Sequence, residues 1–173
     1  YNKVYNCYFG GKKNQGTTFI VSPNGEGHTE NYHHVYRNYF GHRPKLGANG
    51  GETMRIGTSH YSMENSNTII EGNFFEHCNG ETEIISVKSC ENRIINNTFW
   101  ECEGSVVLRH GNRNEVSGNY ILGNGKGFTG GIRVINEGHK IYNNYLSGLR
   151  GVDFRAPLVV MNGVPNSVLN RYH

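Results

Sequence analysis

The sequence predicts an all-β fold, a single-stranded parallel β-helix in which one chain winds through about six to seven coils. Three observations carry this expectation. First, a short motif recurs as "VYNCYF", "VYRNYF", "IIEGNFF", "IINNTF", "VSGNYI", "IYNNYL" and "SVLNRY", each with a β-branched residue two or three positions before an asparagine and usually an aromatic just after it. Second, those asparagines, Asn6, Asn38, Asn73, Asn97, Asn119, Asn144 and Asn170, are spaced by 32, 35, 24, 22, 25 and 26 residues, so the later ones are nearly regular. Third, 24 glycines, 4 prolines, 11 tyrosines, 8 phenylalanines and only 35% hydrophobic residues suit short strands joined by tight turns. They fit neither a helical bundle nor a disordered chain.

A period in this range matches one coil of a β-solenoid. Leucine-rich repeats have a similar period, but the leucine and helix signals are absent. Each coil is expected to hold two or three short strands. Apolar side chains point into the bore and stack on their equivalents about 4.8 Å away. The repeated asparagine forms a ladder from coil to coil, and glycines occupy turns that need positive φ. The two long intervals imply insertion loops at about residues 10–34 and 41–52 within one domain spanning residues 1–173.

A second strand set lies between the asparagine motifs: "EIISVK", "SVVLRH", "GIRVIN" and "PLVVMNG". Lys88 precedes the next ladder asparagine by nine residues, Arg109 by ten and Arg133 by eleven. These three basic residues are therefore expected on consecutive coils of one sheet, as a basic column. Cys78 and Cys102 each follow a ladder asparagine by five residues, which stacks them side by side. A disulfide and a buried ladder of small apolar residues both fit that placement.

Charge and length exclude several classes. A net charge of +3 without a lysine or arginine run gives weak attraction to polyanions and no nucleic-acid arm. No apolar stretch approaches the roughly 20 residues that span a bilayer. Cysteines 7, 78, 90 and 102 form no C-x-x-C pattern, so a sulfur-bound metal is not expected. No signal peptide opens the chain, which begins in a strand-like pattern. A β-helix without caps exposes sheet edges. We therefore expect a piece of a longer chain, or an end covered by a partner.

The stretch "NGETEIISVKS" concentrates the candidate chemistry. Glu81 and Glu83 have the same parity and face the same way on a strand. Two carboxylates that close repel unless a cation neutralises them, and oxygen-only ligands favour Ca²⁺. Spacing alone leaves open an exposed charged strand surface with solvated pairs.

The wording between about residues 30 and 151 closely resembles family 6 of the polysaccharide lyases, which contains alginate lyases and chondroitinase B. The resemblance rests on "NGETEIISVKS", "VVLRHG", "GGIRV" and "GHKIYNNY" in order. It implies a right-handed parallel β-helix, with the site on coils between about residues 49 and 150, and a Ca²⁺-assisted β-elimination. By motif, Asn49, Glu81 and Glu83 look like the calcium ligands. Lys88 looks like the base and Arg109 like the catalytic arginine. Arg133, His110, His139 and Arg55 fall at positions matching substrate-binding segments.

The chemistry suits these residue types. The C5 proton of a uronic acid is poorly acidic because the neighbouring carboxylate is already negative. A cation on that carboxylate stabilises the charge that develops, and a neutral lysine amine can then take the proton. The expected substrate is an anionic polysaccharide, alginate first. A dermatan sulfate lyase and a non-catalytic polysaccharide-binding β-helix are the rivals. The expected location is secreted or periplasmic.

Overall fold

A computed structural model describes residues 1–23 and 30–163. The chain winds through six coils of a right-handed parallel β-helix, each coil giving one strand to each of three six-stranded parallel sheets. The first sheet holds Lys3–Tyr5, His34–Tyr36, Ile69–Glu71, Arg93–Ile95, Glu115–Ser117 and Lys140–Tyr142. The second holds Tyr8–Phe9, Tyr39–Phe40, Phe74–Glu76, Thr98–Trp100, Tyr120–Leu122 and Tyr145–Ser147. The third holds Phe19–Val21, Met54–Gly57, Glu83–Lys88, Gly104–His110, Thr129–Ile135 and Leu158–Met161. The seventh motif, with Asn170, lies outside the described residues. The stretch 10–34, expected as an insertion loop, contributes the strand Phe19–Val21 to the third sheet.

The bore is filled by stacks that follow from alternation. On the first sheet Val35, Ile70, Ile94 and Val116 are buried one above another. On the second sheet the rings of Phe9, Phe40, Phe75 and Phe99 stack with centroid separations of 4.9, 4.8 and 4.7 Å. The phenylalanines of the motif are thus core. The residue just after the asparagine points outward instead, and Tyr120 and Tyr145 are exposed. Cys78 and Cys102 are buried free thiols, with the Cys78 N–H donating to Cys102 Sγ at 3.4 Å, so the small-residue ladder is what forms.

The asparagine ladder runs from Asn38 through Asn73, Asn97 and Asn119 to Asn144. Each backbone N–H and each side-chain Nδ2 donates to the next asparagine's Oδ1, at 2.9–3.0 Å. Asn6 is not part of it. The register pairs Tyr5 with Tyr36, which places Cys7 opposite Asn38, and the Cys7 N–H donates to Asn38 Oδ1 at 3.0 Å. Asn6 instead occupies the left-handed turn residue just before the ladder, at φ 54°, in a column with Arg37, Gly72, Asn96, Gly118 and Asn143. Asparagine tolerates that conformation, so the motif held two kinds of asparagine that look alike in sequence.

Asn97 is fully buried and carries four of these bonds, including Nδ2 to Ile70 O at 2.9 Å. Asn97→Ala leaves buried backbone and amide groups unpaired and is expected to cost about 3 kcal/mol. Calorimetry should record a fall in Tm of about 6–12 °C.

Candidate active site

Two local irregularities build the site. On the third sheet Glu83 pairs with Ser105, but Ile85 pairs with Val106, so Ile84 is an extra residue. At the other end Val87 pairs with Leu108 and Lys88 with His110, so Arg109 is extra. Bulges of this kind bend the strand and re-aim side chains. Ile84 and Ile85 both turn into the core as a result. Arg109 projects between buried Leu108 and buried His110.

An open groove of about 810 Å³ lies over this region. Asn49, Glu81, Glu83, Lys88, Arg109, His110 and Arg133 all line it. Glu83 Oε1 lies 3.7 Å from both Arg109 Nε and Arg133 Nη2. Lys88, Arg109 and Arg133 do sit on consecutive strands, but not in one register column. Lys88 pairs with Gly57 and His110, whereas Arg133 pairs with Val107, the partner of Ser86.

The acidic pair gains a third member. Carboxylate oxygens of Glu52, Glu81 and Glu83 lie within 4.8 Å of one another. Two glycines make this possible, because the coil carrying Glu52 and the coil carrying Glu81 touch backbone to backbone. A Cβ on Gly80 would lie 2.1 Å from Gly51 O, and one on Gly51 would lie 2.6 Å from Gly80 O. Beneath them Arg43 is buried, its guanidinium donating to Gly16 O at 2.9 Å, Thr18 Oγ1 at 2.8 Å and Asn14 O at 3.2 Å. Arg43 therefore fixes the loop that supports Glu52, whose Oε2 accepts from Thr17 Oγ1 at 3.2 Å.

The electrostatics of the trio are unfavourable without a cation. Burial, then the charges of Glu52 and Glu83, push the Glu81 carboxyl up to about 7. Its Oε1 is buried without a hydrogen-bond partner. Three hard oxygen donors around an orphaned buried oxygen fit a calcium-like ion. Burial, then Arg109 and Lys88, push the His110 imidazole down to about 4, so its ring is neutral at neutral pH.

A family model for Chondroitinase B matches residues 1–173. The alginate lyase AlyGC of family PL6 shares 55% identity over 96% of this chain, with a TM-score of 0.92. The chain belongs to polysaccharide lyase family 6. A mannuronic acid-specific family 6 lyase from human gut microbiota is 38% identical over 99% of the chain, with a TM-score of 0.90. The alginate lyase AlyF-OU02, solved with G6, is 34% identical over 90% of it, with a TM-score of 0.79. This family 6 chain spans 23%, 39% and 35% of those three chains. No curated protein matches it.

Two of the expected residues of this family 6 chain lie elsewhere. Arg55 shares an outward row with Ser86, Val107 and Arg133 but does not line the groove. His139 also stands outside the groove. It closes a second ladder, in which the Thr68 N–H donates to Asn92 Oδ1, Asn92 to Asn114 Oδ1, and the Asn114 N–H to His139 Nδ1 at 3.1 Å. His139 Nε2 bonds Ile135 O at 2.8 Å, so both ring nitrogens are committed to backbone.

His139→Asn should keep the ladder, because asparagine serves at the same place one coil earlier. His139→Ala is expected to lower stability by about 1–3 kcal/mol. Thermal melts of the two variants, with polysaccharide binding in parallel, check this.

Glu52 was not expected among the site residues. Its only sequence signal is its place three residues after Asn49 in "NGGETM". The contact of Gly51 with Gly80, which carries it to Glu81, is invisible until coils are in register.

Proposed function

We propose that this family 6 chain carries a lyase site that cleaves alginate at uronate residues by β-elimination. The observation that carries this reading is the opening of Glu81 and Glu83, with buried Glu52 against them, Lys88 and the Arg109–Arg133 pair into one groove. The relatives described as alginate lyases, one of them mannuronic acid-specific, support the substrate class.

Glu52, Glu81 and Glu83, with Asn49 alongside, would hold a calcium ion, which when bound supplies positive charge at the substrate carboxylate and makes the adjacent C5–H more acidic. The amine lone pair of Lys88, at the groove, takes that proton. The electron pair left at C5 forms the C4–C5 double bond while the C4–O bond breaks. Arg109 and Arg133 orient the carboxylate and balance its charge. Neutral His110 offers a hydrogen bond to a sugar hydroxyl and no imidazolium proton. No tyrosine occurs among the described residues lining the groove. The leaving oxygen then takes its proton from the Lys88 ammonium or from Arg109, two of the cationic donors lining the groove. A polymer substrate of this kind is met outside the cytoplasm, and we propose a secreted or periplasmic location on that ground.

The test follows ultraviolet absorbance of the new double bond on alginate and on dermatan sulfate, before and after chelation and with calcium restored. Alginate-dependent signal, lost on chelation and regained with calcium, is the expected result. Signal on dermatan sulfate alone would move the reading to that polymer. Tight polymer binding without any signal would replace it with a non-catalytic binder.

A further inference from the structure

The groove is longer than the chemistry needs. Its wall at the turns between the second and third sheets carries Lys45, Glu103 and Phe128, none of which has a part in proton transfer. Phe128 is 56% exposed, although a phenylalanine ring normally seeks burial. Its backbone is held at φ 64°, a left-handed conformation that is rare and costly for a bulky residue.

The surrounding hydrogen bonds impose this conformation. Thr129 Oγ1 donates to Lys126 O at 2.7 Å, the Arg150 N–H donates to Thr129 Oγ1 at 3.0 Å, and the Gly104 N–H donates to Phe128 O at 3.1 Å. The fold thus holds an apolar ring out over the groove at a conformational cost.

One cation sits at that ring and a second is tied to it through Glu103. Lys45 Nζ lies 4.7 Å from the Phe128 ring centroid. Glu103 holds two ammonium groups near it, Lys45 at 2.6 Å and Lys126 at 3.7 Å. An apolar ring beside paired ammonium groups matches one ligand chemistry, a pyranose whose C–H face packs on the ring while its carboxylate meets the lysines.

We propose that Phe128, with Lys45 and Lys126, forms a uronate-binding subsite that holds a sugar residue of the polymer away from the bond being cleaved. This deepens the lyase reading and rests on it for the identity of the polymer. Phe128 is then a specificity-determining residue, and Lys45 with Lys126 select for acidic sugars.

Phe128→Gly separates this from a packing role. Glycine adopts positive φ freely, so the variant relieves strain while deleting the ring. The expected result is a Tm equal to or above wild type, with about tenfold weaker binding of polymannuronate by titration calorimetry. In turnover the loss should appear in KM. Lys45→Met should weaken polymannuronate binding as well and flatten its dependence on salt.

Unchanged binding in Phe128→Gly would overturn the subsite, as would a lower Tm in that variant, which would make the ring a packing residue. Calorimetry needs no turnover, so the two readings fail separately. Phe128-dependent binding without double-bond formation would retain the subsite and remove the lyase. Double-bond formation with Phe128-independent binding would do the reverse.

Discussion

Lys88→Ala is expected to slow double-bond formation on alginate by about a thousandfold. Lys88 ends the strand Glu83–Lys88, half-buried, with its side chain at the groove. Its neighbours in register are Gly57 and His110, and the Gly57 backbone lies so close that a Cβ there would sit 2.2 Å from Lys88 O. The backbone of residue 88 is therefore fixed by the coil below, not by its own side chain. Truncation should leave the fold intact, with Tm within about 2 °C of wild type. His110 is neutral and lies opposite residue 88 in the register, so it is the group best placed to act in place of the missing amine. Because imidazole is the weaker base, residual activity should stay far below wild type. Steady-state absorbance kinetics with a melting curve on the same sample check both parts. Activity within tenfold of wild type would remove Lys88 from the role of base.

Glu81→Gln should have opposite effects with and without calcium. Without metal, removing one carboxylate relieves the repulsion among Glu52, Glu81 and Glu83, so the variant should melt higher than wild type. With calcium at about a hundred times its Kd, wild type should gain about 2.7 kcal/mol, and the variant far less. The same crowding sets a pH dependence. Burial and the neighbouring carboxylates hold the Glu81 carboxyl at about 7, above its ordinary 4.5. A raised carboxyl binds its proton more tightly in the folded state. Its contribution to the metal-free protein is present below about pH 4.5 and is lost as pH rises towards 7. Calcium should reverse that loss. Melting curves at pH 5 and pH 7, with and without calcium, check the sign in all four conditions.

The solenoid was legible because its signals are local and repeated. One asparagine per coil, a β-branched residue before it and a phenylalanine shortly after it record the turn and the inward stack directly. Cys7 in place of a ladder asparagine was not legible, because Asn6 one residue earlier imitates the motif while serving a left-handed turn. The strand Phe19–Val21 escaped because three residues inside a long glycine-rich stretch show no periodicity. At the site, Glu81, Glu83 and Lys88 could be read from one motif, although Glu81 precedes the strand Glu83–Lys88 and Lys88 shares a face with Glu83 only because the bulge at Ile84 reverses the alternation. Glu52 and the Arg43 beneath it could not, because their positions depend on two glycine backbones meeting across coils. Nor could the separation of Arg133 from the Lys88 register, which is set by bulges that leave no mark in composition.

The most direct measurement is a crystal structure of the Lys88→Ala protein with calcium and an alginate oligosaccharide. The expected result is an ion bound by Glu52, Glu81 and Glu83, a uronate carboxylate turned towards it, and the C5 hydrogen facing the space vacated by the lysine amine. A sugar bound with its carboxylate away from the three glutamates, or with C5 facing solvent, would refute the assignment of this groove as the site of elimination.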